Sequence, residues 1–349
     1  MKIIIGMSGG ADSTAAAWLL KQKGHELTAI TLSLWDEASR CCNIEDIMDA
    51  KAACAKLGIR HYTLNLKKEF REKVVEPFID SYLSGETPNP CVLCNEEIKF
   101  AALIKKMKEL SYDKVATGHY ARIGKKSGQF ALKAGKDKSK TQEYFLARLK
   151  KEELKDIIFP LGNMEKKEIK EIVKKQGLLK EKQESQEVCF LQGNETPYDF
   201  IKRQRGYSGE PGGLYDGDNK KLKVLDTPYF NYTIGQRKGL NYSAGHPVYV
   251  TKIDAKEKKV FIGDKEEVFS SVFDIDSLNL LYDDGKKDFA AKVKIRYLHK
   301  AAAAKVKITG KTAEIAFLKP QFAVTPGQLA VIYAGNTVIA SGFIGAIRG

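Results

Sequence analysis

Lys2-Ile3-Ile4-Ile5-Gly6-Met7-Ser8-Gly9-Gly10-Ala11-Asp12-Ser13 decides how the first half of the chain folds. Lys2–Ile5 reads as a short buried strand, Gly9-Gly10 as a tight turn, and Ala11–Lys23 as a helix closed by Gly24. A strand that runs through glycines into a helix puts its loop at the carboxyl end of an α/β sheet, where ligands bind. Glycines let backbone N–H groups approach phosphate oxygens, and the helix N-terminus adds positive potential. Ser8 and Ser13 supply hydroxyls, and Asp12 a carboxylate able to act through Mg2+. The loop is neither the GxxxxGK[ST] of a Walker A loop nor a GxGxxG dinucleotide turn. Standing alone, it is also compatible with a capped turn that binds nothing.

The pattern repeats outward from this loop. Leu27–Trp35 is predicted as a strand, Ile44–Leu57 as a helix ended by Gly58, and His61–Leu66 as a third strand. Phe70–Leu83 reads as a helix that Pro77 kinks or divides. Ile98–Leu110 is a further helix, and Lys114–Thr117 a strand leading into Gly118-His119. Strands separated by such helices make a parallel sheet covered on both faces, the α/β class. From Lys150 to about Lys182 the pattern is helical and charged. After Gly206, glycine and proline become frequent and β-type runs take over, with a hairpin at Val248–Ile253 and Lys259–Ile262. Regular strands over Phe289–Tyr297, Ala304–Ile308, Thr312–Phe317, Gln328–Tyr333 and Thr337–Ile344 suggest a small barrel. Three domains are expected, at 1–205, 206–272 and 273–349.

Composition limits the function. With 58 Lys+Arg against 44 Asp+Glu the net charge is +14, which favours a polyanionic partner such as RNA. No run approaches the roughly 18–20 apolar residues of a membrane span, and the opening strand lacks the features of a signal peptide. A cytoplasmic protein with no membrane contact is expected. Cysteines at 41, 42, 54, 91, 94 and 189 do not form the framework of a small secreted domain, so reduced, reactive or metal-binding thiols are expected. Cys54 fits the apolar stripe of a helix, and Cys41-Cys42 read as structural. Cys91 and Cys94, in Thr87-Pro88-Asn89-Pro90-Cys91-Val92-Leu93-Cys94-Asn95, stand just ahead of a helix whose start favours thiolate. Such a CxxC is a zinc half-site, a redox pair or a sulfur carrier. Cys189 sits between apolar Val188 and Phe190, where an inert buried thiol is the plain reading.

SGGxDS after an N-terminal strand resembles the PP-loop of ATP pyrophosphatases, which implies adenylation of a carbonyl oxygen. Together with NPCVLCN-x-x-IKF, ATGHYAR, ESQEVCF, YTIGQRKGL, KIRY and TPGQLAVIY followed by SGFI, it resembles the MnmA/TrmU family of tRNA 2-thiouridylases over nearly the whole chain. That resemblance implies a PP-loop domain, a small central domain and a C-terminal β-barrel. It also implies adenylation of O2 of the wobble uridine of tRNA, followed by replacement of that oxygen by sulfur. Gly6, Met7, Ser8, Gly9, Gly10, Ala11, Asp12 and Ser13 would hold ATP with Mg2+, while Leu32 and Gly118 would line the adenine and ribose site. Cys189 would carry a persulfide and Cys94 would be the nucleophile that closes a disulfide with it. Asn89, Pro90 and Cys91 would contact the target base. His119, Lys140, Thr141, Gln142, Arg296, Tyr297 and Gln328 would touch tRNA. A cysteine desulfurase or sulfur-relay protein would be the donor, and a monomer or weak dimer is expected.

Three departures from the family pattern stand out. Cys91 replaces an aspartate common in the family, so Cys91, Cys94 and Cys189 would supply three thiolates to a 4Fe–4S cluster, the alternative to the persulfide route. The family's KDQSYFL reads Lys140-Thr141-Gln142-Glu143-Tyr144-Phe145-Leu146, and the histidine-bearing segment before TIGQR reads Thr227-Pro228-Tyr229-Phe230-Asn231. These two bear on tRNA contacts. Competing readings are another PP-loop ATP pyrophosphatase such as an amide ligase, a non-catalytic RNA-binding protein, and a thiolase with a different tRNA preference.

Overall fold

The computed structural model describes residues 1–35, 44–178 and 188–348. The first sheet is built from β1 (Lys2–Gly6), α1 (Ala11–Gln22), β2 (Glu26–Ser33), α2 (Ile44–Leu57) and β3 (Arg60–Asn65). Because side chains alternate across a strand, Ile3 and Ile5 enter one core with Ala15, Ala16 and Cys54 of α1 and α2. Ile4 enters the opposite core with Val74, Phe100 and Leu103. All three isoleucines are fully buried, each worth about 1.5–3 kcal/mol; a charge at any of them would leave one face of the sheet uncovered.

A helical stretch follows as α3 (Lys67–Phe70), a π-helical turn at Arg71–Val75 and α4 (Glu76–Leu83). Pro77, at the start of α4, has no N–H for a regular helical bond, and the π turn just before it divides the predicted helix there. Next come α5 (Pro90–Leu93), a second π-helical segment at Cys94–Phe100 and α6 (Ala101–Glu109). The chain then forms β4 (Lys114–Ala116), the hairpin β5 (Ala121–Lys126) and β6 (Gln129–Ala134), β7 (Ile157–Ile158) and α7 (Lys166–Lys175). The strand order is β3-β2-β1-β4-β7, with every pairing parallel. The α/β expectation is met. The hairpin was not expected, although Ser127 and Gly128 carry the positive φ of 47° and 78° that a tight hairpin turn needs. The stretch from Lys150 is a 3-10 turn at Lys151–Asp156, the short β7 and then α7, rather than helix throughout. The expected sites at Cys41-Cys42 and at Glu184 to Glu187 lie outside the described residues.

After α8 (Pro197–Arg205), β8 (Gly213–Tyr215), β9 (Lys221–Val224), β10 (Tyr249–Asp254) and β11 (Lys259–Gly263) form a four-stranded sheet in the order β10-β11-β8-β9. The rest of the chain is β12 (Phe269–Leu280), β13 (Asp288–Lys294), β14 (Ala302–Thr309), β15 (Thr312–Phe322), β16 (Leu329–Ala334) and β17 (Thr337–Arg348). These run β12-β15-β14-β13-β16-β17, and β12 pairs with β17 to close a barrel. On β14, Ala304, Val306 and Ile308 point into the barrel core while Lys305 and Lys307 face out, the period-2 pattern visible in the sequence. The early hairpin joins this sheet through Thr337↔Lys133, tying the first segment to the last.

Candidate active site

Gly9 has φ +75°, and a Cβ there would stand 2.3 Å from Asp46 O, so only glycine fits. Gly10 caps α1 without a side-chain bond to its first turn, leaving N–H groups there that have no partner within the helix. Ser13 ties the turn from inside. Its Oγ accepts from Ser8 N at 3.1 Å and donates to Gly10 O at 3.1 Å. Met7 and Ser13 are buried, whereas Ser8 is exposed at the mouth. Gly118 closes the other wall, where a Cβ would meet Ser13 N at 2.6 Å. A Cβ on Gly6 would stand 3.1 Å from Leu103 Cδ1, so α6 abuts the same loop. Leu32 lies on β2 opposite Leu64 of β3, buried at 8% exposure.

Asp12 is engaged more fully than its sequence suggested. Lys166 Nζ lies 2.7 and 2.8 Å from its two carboxylate oxygens, and the Tyr120 hydroxyl donates to Oδ1 at 2.7 Å. Lys166 is a buried lysine at the first position of α7, fixed by a capping box between Glu165 and Glu168. Neither Tyr120 nor Lys166 was singled out in the sequence. Lys166 lay in a lysine-rich helix, where nothing separates a buried lysine from a solvated one.

Cys94 is buried at 4% exposure within a core of Trp35, Phe70, Phe78, Phe190 and Phe200, and the half-buried Cys189 packs against that same core. Both thiols thus border one extended apolar core that runs from the first sheet to the barrel, although nearly a hundred residues separate them. Cys91 sits one helical turn before Cys94 and is partly exposed. No three or more Cys, His, Asp or Glu among the described residues are arranged to hold a metal. The three-thiolate ligation by Cys91, Cys94 and Cys189 is therefore not supported among the described residues. The described cysteines also form no disulfide, so the Cys94–Cys189 bond is not a standing feature of the fold. Cys54, fully buried, is raised by burial to about 11 and is a core residue as expected.

His119 joins the nucleotide loop to the Cys94 helix. Its ring lies tilted against Phe100 at 5.8 Å and edge-on to Phe159 at 6.2 Å, and Nδ1 is 2.8 Å from Thr117 Oγ1. Burial, helped by the charge of Lys99, pushes it down to about 3, so it is neutral at physiological pH. Thr87, two residues before Asn89, connects all three parts of the molecule. Its carbonyl accepts from Gln328 Nε2 at 2.6 Å, its hydroxyl lies 3.2 Å from Thr233 Oγ1, and its N–H donates to Pro326 O at 3.0 Å. The segment Asn89-Pro90-Cys91 accordingly leaves from a junction that holds Gln328. Close by, Arg296 donates to Thr325 Oγ1 at 2.5 Å and Ile234 O at 3.3 Å. Tyr297 stacks on Phe145 at 4.5 Å. Of the Lys140-Thr141-Gln142 set, Lys140 and Gln142 are partly exposed, but Thr141 is buried.

Family models match the chain in three successive pieces: a tRNA methyl transferase HUP domain over residues 1–193, a tRNA methyl transferase PRC-barrel domain over 199–264, and an aminomethyltransferase beta-barrel domain over 270–344. A tRNA-specific 2-thiouridylase MnmA of Geotalea uraniireducens is 39% identical, covering 98% of this chain and 94% of that one. The chain belongs to the tRNA-specific 2-thiouridylase family. A second member, MnmA 1 of Caldanaerobacter subterraneus, is 40% identical over 98% of this chain and 97% of its own. Among solved structures, a 4-thiouridine synthetase in complex with RNA and ATP matches with a TM-score of 0.34 and 20% identity, covering 51% of this chain and 41% of that chain. Membership of a PP-loop, ATP-using family implies ATP and Mg2+. The site fits a triphosphate: an uncapped helix start, a turn only glycine can make and a buried lysine converge on it.

Proposed function

We propose that the chain is an ATP-dependent tRNA sulfurtransferase that converts the wobble uridine to 2-thiouridine. The observation that carries this reading is the packing of one helix: Leu103 of α6 abuts Gly6 of the nucleotide loop, while Cys94 at the head of the same helical stretch shares its core with Cys189. In this reading activation and sulfur delivery are both served from that one helical stretch.

In this reading ATP lies on Gly6 to Ser13 with its base toward Leu32 and Gly118. O2 of the uridine attacks the α-phosphorus, the bond to the β-phosphate oxygen breaks, and pyrophosphate leaves. Mg2+, held through Asp12, would supply charge neutralisation for the phosphates. Lys166 orients Asp12 and adds a positive charge at the loop. The terminal sulfur of a Cys189 persulfide then attacks C2, and Cys94 attacks the Cys189 sulfur. The S–S bond to the transferred sulfur breaks, AMP leaves with O2, and a Cys94–Cys189 disulfide forms, which a thiol reductant reopens. The apolar core around both cysteines limits hydrolysis of the adenylate.

The base enters at Asn89, Pro90 and Cys91, with tRNA along His119, Lys140, Gln142, Arg296, Tyr297 and Gln328. Residues 1–205 form the catalytic domain, 206–272 the central domain and 273–349 the tRNA-binding barrel. Cys189 is loaded by a cysteine desulfurase or a sulfur-relay protein in the cytoplasm. The test is direct: unmodified tRNA, ATP, Mg2+ and a persulfide donor should give 2-thiouridine with AMP and pyrophosphate. Cys94→Ser and Cys189→Ser should each abolish the thiolated nucleoside, and full product from either would defeat the mechanism.

A further inference from the structure

Residues 141–145 attach, one after another, to separate parts of the molecule. Thr141 Oγ1 accepts from Gly135 N at 2.7 Å and donates to the Glu143 carboxylate. Gln142 pairs with Tyr120 twice, N–H to Tyr120 O at 2.8 Å and Oε1 from Tyr120 N at 2.9 Å. Tyr120 is the residue whose hydroxyl holds Asp12. Glu143 Oε1 accepts from the Tyr333 hydroxyl on β16 at 3.1 Å, and Tyr144 donates to Leu329 O at 2.7 Å at the start of that strand. Phe145 O accepts at 3.1 Å from Asn95, the residue after Cys94. Five residues thus join the nucleotide loop, the Cys94 helix and the barrel.

Glu143 is the charged member, 3% exposed. A buried carboxylate is costly unless hydrogen bonds satisfy it, and here two hydroxyls do so. The half-buried Lys294 feels its charge and lies over the rings of Tyr144 and Tyr297 at 5.9 and 5.5 Å. Thr141 donates to Glu143, a hydroxyl–carboxylate pair two positions apart. An acid at both positions would set two carboxylates together, and a hydroxyl at both would leave none.

We propose that Glu143 is a positioning residue for the tRNA-facing segment. Its pair with Thr141 fixes Lys140 to Gln142 between Tyr120 of the nucleotide site and Tyr333 of the barrel, so that tRNA engaged there is aligned with ATP. This rests on the reading that tRNA is the substrate.

The test is a double-mutant cycle in the full chain: Glu143→Ser, Thr141→Asp and the two together, measured for thiolation kinetics and thermal unfolding. Each single substitution is expected to raise KM for tRNA about tenfold while KM for ATP stays within about twofold. The double variant should return to within about threefold of the parent in KM and exceed both singles in Tm. Should Glu143→Ser fail to fold, Glu143→Gln, which keeps the size but mismatches one hydroxyl, is expected to raise KM for tRNA about fivefold. Singles that leave KM for tRNA unchanged, or a double variant no better than its worse single, would overturn the proposal. A parent protein that makes no thiouridine would defeat the functional reading instead, and the Tm cycle would still decide whether the two side chains pair.

Discussion

Lys166 Nζ bridges both carboxylate oxygens of Asp12, at 2.7 and 2.8 Å, across 154 positions of sequence. The contact pins the start of α7 onto the first turn of α1, and those two helices pack together. Lys166→Met removes the ammonium but keeps the stem. It is expected to lower kcat/KM for ATP about 100-fold, near 2.7 kcal/mol of transition-state stabilisation, with Lys166→Arg recovering part. AMP release in the presence of tRNA measures it, and a value within about threefold of the parent would remove Lys166 from the site.

Gly118→Ala tests the wall of the nucleotide loop. Its Cβ would meet Ser13 N at 2.6 Å and Asp12 C at 2.7 Å, both backbone atoms of a helix start that cannot step aside. A cost of about 2–3 kcal/mol is expected, a fall in Tm of roughly 5–10 °C, together with lost ATP binding. Gly177→Ala is a contrasting control. Its Cβ would meet nothing within 4 Å, so the substitution bears only the cost of a positive φ and leaves ATP binding intact.

His119 gives a pH dependence. Its folded value, about 3, lies below the ordinary 6.5, so between those values the unfolded chain binds the extra proton. The stability tied to neutral His119 is complete above about pH 6.5 and is lost as pH falls toward 3, with a slope of up to about 1.4 kcal/mol per pH unit. Denaturant unfolding of the parent and of His119→Asn across pH 4–7 checks this, since the variant should show a shallower slope. Equal slopes would mean that the imidazole is not held neutral.

Cys91→Ser separates the two sulfur routes. On the persulfide route, which draws its thiols from Cys94 and Cys189, the variant is expected to keep thiolation within about threefold of the parent. A loss as deep as that of Cys94→Ser would restore Cys91 to the chemistry.

Legibility varied with how local each signal was. The strand-turn-helix at Lys2 to Lys23 and the alternation of β14 were readable because the period of burial is written in neighbouring residues. The hairpin β5–β6 was not read, and its partner, β17, lies some two hundred positions away. At the site, the glycines and hydroxyls of the loop announced themselves. Lys166, Tyr120 and Glu143 did not, because what makes them special is burial against distant partners. The cysteines were legible as residues but not as an arrangement: that Cys94 and Cys189 border one extended apolar core is set by contacts between segments nearly a hundred positions apart.

Everything proposed for the site converges on ATP-dependent thiolation at C2 of the wobble uridine. Nucleoside mass spectrometry of purified, unmodified tRNA incubated with the protein, ATP, Mg2+ and a persulfide donor tests it most directly. 2-Thiouridine is expected at that position in equal amount to AMP formed, and none without ATP or with Cys189→Ser. AMP released with no thiolated nucleoside, or thiouridine formed without ATP, would contradict it.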